Sequence, residues 1–168
     1  MSPVQSDISL LADLLKKNSI MLATAESCTG GLTGHLITNE PGSSDWYLGG
    51  VVAYSNELKI SLLNVDRELL DVFGAVSLEC AQDMALGVAR LCDAGAAVAV
   101  SGIAGPGGGT GDKPVGTVCF GWFVLGRTWG EKKVFQGSRE EVKMQSAEHA
   151  VQGLVDYLQS LNLEAEKR

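Results

Sequence analysis

The run Ala96-Ala97-Val98-Ala99-Val100 limits the fold more than any other part of this chain, because its five consecutive residues offer no polar face. Such a run is typical of a strand that is buried on both faces, and a sheet with two buried faces needs helices on both sides. Shorter apolar runs at residues 20–23 and 51–54 alternate with amphipathic segments. We therefore expect an α/β protein, namely a three-layer α/β/α sandwich with a mixed, mostly parallel sheet of about five strands.

The spacing of apolar residues and the capping residues predict where the other elements lie. Strands are expected at residues 20–24, 51–54, 96–100, 117–124 and 129–136, with a hairpin connection at residues 125–128. Helices are expected at residues 6–17, 29–38, 57–63, 67–73 and 78–92. A last helix begins at Ser138, where Glu141 completes a capping box. Because no repeat or linker interrupts this order, we expect a single domain over residues 1–168.

The composition narrows the classes of function. A net charge of −7 argues against a nucleic-acid partner, which would require a basic face. No apolar run is long enough to cross a membrane, and the first residues lack the pattern of a signal peptide. The four cysteines include no C-x-x-C pair, which favours reduced, mostly buried thiols and a cytoplasmic location. The two histidines add no metal-ligand spacing, so we expect no metal site.

A serine lies where the first strand passes into a helix, in the stretch Ala23-Thr24-Ala25-Glu26-Ser27-Cys28-Thr29-Gly30-Gly31. The glycines allow tight backbone geometry, and the first amides of the helix have no partner within it. Such amides can bind a developing oxyanion or a phosphate, and we expect those of residues 29–31 to do so. The alternative is an ordinary turn in which Ser27 or Thr29 caps the helix.

A glycine-rich loop follows the central strand, from Ser101 to Pro114. Open α/β sheets bind ligands beyond the carboxyl ends of their strands, which is where this loop lies. Its spacing matches neither a Walker A loop nor G-x-G-x-x-G. The alternative is a mobile surface loop without a ligand.

A third cluster comprises Tyr54, Ser55, Asn56 and Lys59, at a strand end and the start of the next helix. Parallel pairing would bring Tyr54 and Ser27 to one edge of the sheet. A buried lysine loses proton affinity and can act as the base toward a serine hydroxyl, and a tyrosine can relay that proton. Taken singly, Lys59 could be a solvated surface residue and Tyr54 a core ring.

Other combinations are weaker. Cys28 and His35 are seven positions apart, so about 10 Å of helical rise prevents a direct hydrogen bond. The two histidines are therefore not predicted to be catalytic, and G-x-S-x-G is absent around Ser27. The three tryptophans are too scattered for a base-stacking platform and are expected in the core or at its rim.

Five segments together resemble the carboxy-terminal domain of competence-damage-inducible protein A, a family that also occurs as a stand-alone nicotinamide-nucleotide amidase. They are T-A-E-S-C-T-G-G at residues 24–31, G-G-V-V-A-Y-S-N-E at 49–57 with Lys59, G-A-V-S at 74–77, S-G-I-A-G-P at 101–106 and K-P-V-G-T-V at 113–118. The resemblance covers residues 23–139 in order and spacing. Because the chain starts almost directly with this domain, we expect the stand-alone form.

The resemblance implies hydrolysis of the carboxamide of nicotinamide mononucleotide to nicotinate mononucleotide and ammonia, without a cofactor. It also implies a homodimer or larger homo-oligomer. The implied catalytic residues are Ser27, Tyr54 and Lys59, and the implied substrate-binding residues are Thr29, Gly30, Gly31, Asn56, Ser101, Gly102, Gly105 and Arg139. Some relatives carry arginine where this chain has Lys143, so the choice between Arg139 and Lys143 as phosphate ligand stays open. Two alternatives also stay open: a pyridine-nucleotide sensor without turnover, and an amidase for a related amide.

Overall fold

The structure is a computed structural model that describes residues 3–165. This part of the chain contains five strands and six α-helices. The strands are β1 (Leu22–Glu26), β2 (Tyr47–Val52), β3 (Ala96–Gly102), β4 (Thr117–Val124) and β5 (Arg127–Val134). The helices are α1 (Pro3–Lys17), α2 (Leu32–Thr38), α3 (Asn56–Leu63), α4 (Arg67–Phe73), α5 (Leu78–Cys92) and α6 (Arg139–Ala165), with a short 3₁₀ turn at Ser43–Asp45.

The strands form one mixed sheet in the order β2-β1-β3-β4-β5. β1 pairs in parallel with β2 and β3, whereas β3–β4 and β4–β5 are antiparallel. The parallel strands thus place three carboxyl ends at the same edge of the sheet. The predicted five-strand mixed sheet is confirmed.

The sheet separates two apolar cores, so the predicted three-layer sandwich is confirmed as well. On one side, large residues such as Val98, Phe120 and Trp122 pack against α1, α2 and α6. On the other side, β1 and β3 contribute four alanines that pack against α3, α4 and α5, namely Ala23, Ala25, Ala97 and Ala99. Alternate residues of one strand therefore face different cores.

Small residues bring α5 very close to its neighbours. A Cβ at Gly121 in β4 would collide with the backbone carbonyl of Ala81 in α5. A Cβ at Gly87 in α5 would likewise collide with the carbonyl of Leu63 in α3. The helix that follows β2 is therefore held against the sheet through α5.

Several predicted bounds are confirmed and others are wrong. α4, α5 and β4 have the predicted limits, and Ser138 and Glu141 form the predicted capping box through bonds of 3.3 and 2.7 Å. α1 begins at residue 3 rather than 6 and α2 at residue 32 rather than 29. β5 spans residues 127–134 rather than 129–136, which leaves a two-residue hairpin loop with both φ angles positive.

The two strands beside the candidate site differ most from prediction. β1 lies two residues later than expected, because Thr24 and Glu26 are polar yet buried through hydrogen bonds. β2 lies at residues 47–52 rather than 51–54. It is an edge strand whose exposure alternates, and Gly49 and Gly50 obscure its apolar pattern.

None of the helices within residues 3–165 combines the length and apolarity that a membrane crossing requires. All four cysteines are free thiols, and three of them are buried, as predicted.

Candidate active site

The carboxyl ends of β2, β1 and β3 meet at one edge of the sheet. Glu26 pairs with Val52, and the Ala53 amide donates to the Glu26 carbonyl at 2.9 Å. On the other side, the Ser27 amide donates to the Val100 carbonyl at 2.9 Å. Ser27 therefore lies between the segment that leads to Tyr54 and the glycine-rich loop, as the parallel pairing predicted.

Lys59 and Ser27 are in direct contact. The Lys59 Nζ lies 3.1 Å from the Ser27 Oγ, although the two residues are 32 positions apart. The same nitrogen donates to the carbonyls of Ala53 at 2.9 Å and Tyr54 at 3.2 Å. Lys59 is 1% exposed and Ser27 9%. The serine and lysine that the sequence suggested are thus brought together, and Lys59 is not a solvated surface residue.

The surroundings of Lys59 favour its neutral form. Burial lowers the pKa of the amine, because desolvation penalises the charged state. Within the described residues, no ion pair includes Lys59. A neutral amine can donate two N–H groups to the two carbonyls and direct its lone pair at Ser27. This arrangement can remove the proton of the serine hydroxyl.

Lys59 is positioned by the start of α3. Ser55 caps this helix by accepting a hydrogen bond from the Leu58 amide at 3.2 Å. Its carbonyl accepts from the Lys59 amide at 3.2 Å, so the lysine lies one turn inside the helix. This cap fixes the start of α3 and directs the lysine side chain back toward the strand ends.

The carboxylate of Glu26 occupies the start of α2, where a ligand was predicted. It accepts hydrogen bonds from the Thr29 hydroxyl at 2.6 Å and from the amides of Gly31, Thr33 and Gly34 at 2.9–3.1 Å. The Gly30 amide donates to the Ser27 carbonyl at 3.1 Å. The predicted oxyanion donors at residues 30 and 31 are therefore already engaged.

The adjacent amides differ. Those of Cys28 and Thr29 make no backbone hydrogen bond with any described residue. Ser27 to Gly30 form a turn closed by the bond from the Gly30 amide to the Ser27 carbonyl, and the amides of Cys28 and Thr29 are its central ones. Of the predicted donors at residues 29–31, only the Thr29 amide makes no hydrogen bond with a described residue, and the Cys28 amide beside it was not predicted. Neither Ser27 nor Thr29 caps α2, whose N-cap is Gly31 without a side-chain bond.

A cavity of about 300 Å³ opens beside Ser27. Tyr54 and Arg139 lie on its wall, and the Arg139 guanidinium donates to the Gly105 carbonyl at 2.8 Å and to the Tyr54 hydroxyl at 3.2 Å. Tyr54 is 60% exposed and is not a core ring. Its hydroxyl contacts Arg139, and only its backbone carbonyl contacts Lys59. The remaining lining residues are Cys28, Gly102, Ile103, Ala104, Gly105, Gly107 and Gly108.

A second cavity of about 430 Å³ shares Arg139 with the first. Its other lining residues are Leu32, Glu140, Lys143 and Met144. The Lys143 Nζ also lies close to Gly30, 3.8 Å from where a Cβ would stand. Two cations from consecutive turns of α6 therefore face the same region.

Five predicted ligand residues line neither cavity, namely Thr29, Gly30, Gly31, Asn56 and Ser101. Ser101 is 1% exposed, and its hydroxyl donates to the Ala75 carbonyl at 2.7 Å. Asn56 is the exposed first residue of α3 and lines neither cavity. Gly102 and Gly105 do line the Ser27 cavity. Gly105 has a φ of +82°, which favours glycine.

The structure does not bring Cys28 and His35 together as a thiol–imidazole pair. Burial raises the pKa of the Cys28 thiol to about 12, and His35 contacts Asn39 rather than that thiol. Trp46 and Trp122 are buried, and Trp129 stacks on Trp122, as expected for core and rim. Over the described part of the chain, no group of three or more His, Cys, Asp or Glu side chains could hold a metal ion.

Comparison with known proteins identifies similar chains. The sequence model of the CinA C-terminal domain matches residues 5–158. A CinA-like protein of Thermotoga neapolitana is 48% identical over 145 residues, which is 86% of this chain and 35% of the relative. A putative competence-damage inducible protein of Moorella thermoacetica is 46% identical over 143 residues, covering 85% of this chain and 34% of the relative. The chain thus spans about a third of the length of these relatives.

Solved structures agree in fold over nearly the whole chain. A CinA superfamily protein from Klebsiella pneumoniae is 35% identical, with a TM-score of 0.90 over 95% of this chain and 99% of that one. A competence/damage inducible protein from Agrobacterium tumefaciens is also 35% identical, with a TM-score of 0.88 over 93% of this chain and 96% of that one.

Proposed function

The chain belongs to the CinA C-terminal domain family, and we propose that it hydrolyses the carboxamide of nicotinamide mononucleotide to nicotinate mononucleotide and ammonia. The observation that carries the proposal is the 3.1 Å contact between the Lys59 Nζ and the Ser27 Oγ at a cavity wall. A serine that faces a desolvated amine is an arrangement suited to acyl transfer.

In the first step, the Ser27 Oγ attacks the carboxamide carbon and its proton passes to the Lys59 Nζ. The two carbonyls that accept from Lys59 hold the amine in place during this transfer. The substrate oxygen becomes an oxyanion, for which the amides of Cys28 and Thr29, which have no backbone acceptor among the described residues, are the proposed donors. The C–N bond then breaks, Lys59 returns the proton to the leaving nitrogen, and ammonia departs.

In the second step, water attacks the acyl-serine ester. Lys59 again accepts a proton, now from water, and gives it to the Ser27 oxygen when the ester bond breaks. The product carboxylate leaves and the free serine is restored. The same base serves both steps because the amine remains within hydrogen-bond distance of the serine oxygen.

The phosphate of the substrate is proposed to lie toward Arg139 and Lys143. Both cations line the second cavity, and Arg139 lines the Ser27 cavity as well. The arginine can offer two parallel donors to a phosphate, whereas the lysine acts as a point charge. Glycines 102 and 105 leave room for the sugar and the ring between these cations and Ser27.

The test is release of ammonia from nicotinamide mononucleotide by the purified protein, with a chelator present. Lys59→Met preserves volume and should abolish release, while Lys16→Met, an exposed lysine of α1, should not change it. Ser27→Ala should also abolish release yet bind the substrate with near wild-type affinity in calorimetry. Binding without release by the wild-type protein would refute the hydrolase and favour a sensor. Release only from a related amide would refute the assigned substrate.

A further inference from the structure

Glu26 is a buried charged residue that the proposed reaction does not use, although it directly precedes the nucleophile. Its side chain is 2% exposed. None of the ion pairs among residues 3–165 includes it. A carboxylate in such a place is costly unless hydrogen bonds and a favourable field compensate for lost hydration.

That compensation comes from the turn after Ser27 and the beginning of α2. One carboxylate oxygen accepts from the Thr29 hydroxyl and from the amides of Gly31 and Thr33, and the other accepts from the Gly34 amide. The positive end of the helix faces the same group. Glu26 thus joins the end of a central strand to the helix across the segment that carries Ser27.

Two properties of this segment depend on the carboxylate. Gly30 and Gly31 adopt left-handed backbone conformations, with φ of +63° and +100°, and the Gly31 amide donates a hydrogen bond to the Glu26 carboxylate. The turn amides of Cys28 and Thr29, which precede these glycines, have no backbone acceptor among the described residues. If the carboxylate were lost, the amides of residues 31, 33 and 34 would need other acceptors, and the turn would rearrange.

We propose that Glu26 is a positioning residue for Ser27, an inference that rests on the proposed function. Its carboxylate fixes the turn so that the serine oxygen faces Lys59 and the amides of Cys28 and Thr29 remain available to the oxyanion. No hydrogen bond between described residues joins Glu26 to Ser27 or Lys59 through side chains, so the carboxylate acts through the backbone rather than as an acid or base.

The perturbation that tests this role is Glu26→Gln. Glutamine keeps one acceptor oxygen, but its NH₂ group would face an amide donor. Thr29→Val is the milder variant, because it removes a single donor, and Thr29→Ser restores the hydroxyl. Glu68→Gln is the matched control, since it neutralises an exposed acidic residue in the first turn of α4, away from both cavities.

The main readout is the rate at which diisopropyl fluorophosphate modifies Ser27, a reaction in which the serine oxygen displaces fluoride at phosphorus. We expect Glu26→Gln to slow this rate about 100-fold, the loss expected for a nucleophile displaced by about 1 Å. Thr29→Val should slow it about tenfold and Thr29→Ser should recover most of the rate. With substrate, kcat should fall by the same factors while KM changes little, and the pH midpoint of kcat should stay in place because Lys59 is untouched.

A merely structural role would lower the melting temperature without changing the labelling rate of the folded protein. A folded Glu26→Gln variant that labels at the wild-type rate would therefore overturn the inference. If Glu26→Gln does not fold, Thr29→Val is the test. Labelling of Thr29→Val at the wild-type rate would then overturn the inference. Wild-type protein that labels at Ser27 but releases no ammonia refutes the assigned substrate only. Wild-type protein that fails to label refutes the serine nucleophile and this inference together.

Discussion

The buried amine of Lys59 predicts a specific dependence of stability on pH. Burial lowers the pKa of Lys59 in the folded protein, whereas the unfolded chain keeps the ordinary value near 10.4. Below both values the amine is charged in both states, and the folded state carries the full cost of burying that charge. As pH rises through the folded pKa toward the unfolded one, the folded protein binds fewer protons than the unfolded chain. The free energy of unfolding therefore rises across this interval.

The size of the effect follows from proton linkage. One proton of difference gives a slope of up to about 1.4 kcal/mol per pH unit. Lys59→Met removes this contribution. It also removes the bonds to the carbonyls of Ala53 and Tyr54, at a cost of about 1–3 kcal/mol for each carbonyl left unsatisfied, but this cost does not vary with pH. Only the slope of the difference between the two proteins reports the pKa.

The assay is urea unfolding of wild type, Lys59→Met and the exposed-site control Lys16→Met at intervals from roughly pH 6 to 10. We expect the free energy of unfolding of the wild type to rise relative to that of Lys59→Met as pH rises. Below the pH at which an exposed lysine loses its proton, the wild type and Lys16→Met should show the same dependence on pH. The pH at which this stability difference begins to rise should coincide with the midpoint of the pH profile of kcat/KM. Parallel curves for wild type and Lys59→Met would refute the neutral amine, and with it the proposed base.

Three further predictions concern other contacts. Tyr54→Phe should raise KM about tenfold and change kcat little, because the variant loses the hydrogen bond to Arg139. A fall of 100-fold or more in kcat would instead support a proton relay through the Tyr54 hydroxyl. Iodoacetamide near pH 8 should modify Cys92 before Cys28, because Cys28 is buried and burial raises its pKa to about 12. Mass spectrometry of tryptic peptides follows the two thiols, and modification of Cys28 before Cys92 would contradict this prediction. Gly153→Ala should lower the unfolding free energy by about 1–3 kcal/mol in urea titrations, because its Cβ would collide with the ring of Trp122, while kcat stays unchanged. An unchanged urea midpoint would show that α6 can shift away.

The sequence predicted those parts of the site that depend on strand order. Apolar runs located two parallel strands, and their ends place Ser27 and Tyr54 at one edge. That Lys59 is buried against Ser27 could only be a hypothesis, because it depends on how α3 packs on α5. A solvated lysine would have the same local sequence.

Ser101 and Glu26 show where local sequence patterns are not sufficient to predict hydrogen-bond partners. Ser101 lies at the end of β3, but its hydroxyl donates to a carbonyl 26 positions earlier in the chain, which spacing cannot indicate. Glu26 is different, since its four donors lie within eight residues. An acidic residue just before a helix is a recognisable signal of a carboxylate at the positive end of the helix dipole, so the sequence does contain this information.

The alanine-lined core between the sheet and α5 makes the two sides of this protein unequal as starting points for change. Where β1 and β3 present only alanine methyl groups to this core, their side chains cannot be made much smaller, and any larger residue must displace α5. Because α3 lies against α5, that displacement would reach the Lys59 amine. The opposite core, with its leucine, valine and aromatic side chains, can lose or redistribute volume behind the sheet. Variants with a new amide preference should therefore arise from changes on the α6 side, where the Arg139 and Lys143 cations also lie, while the alanine side should tolerate few changes.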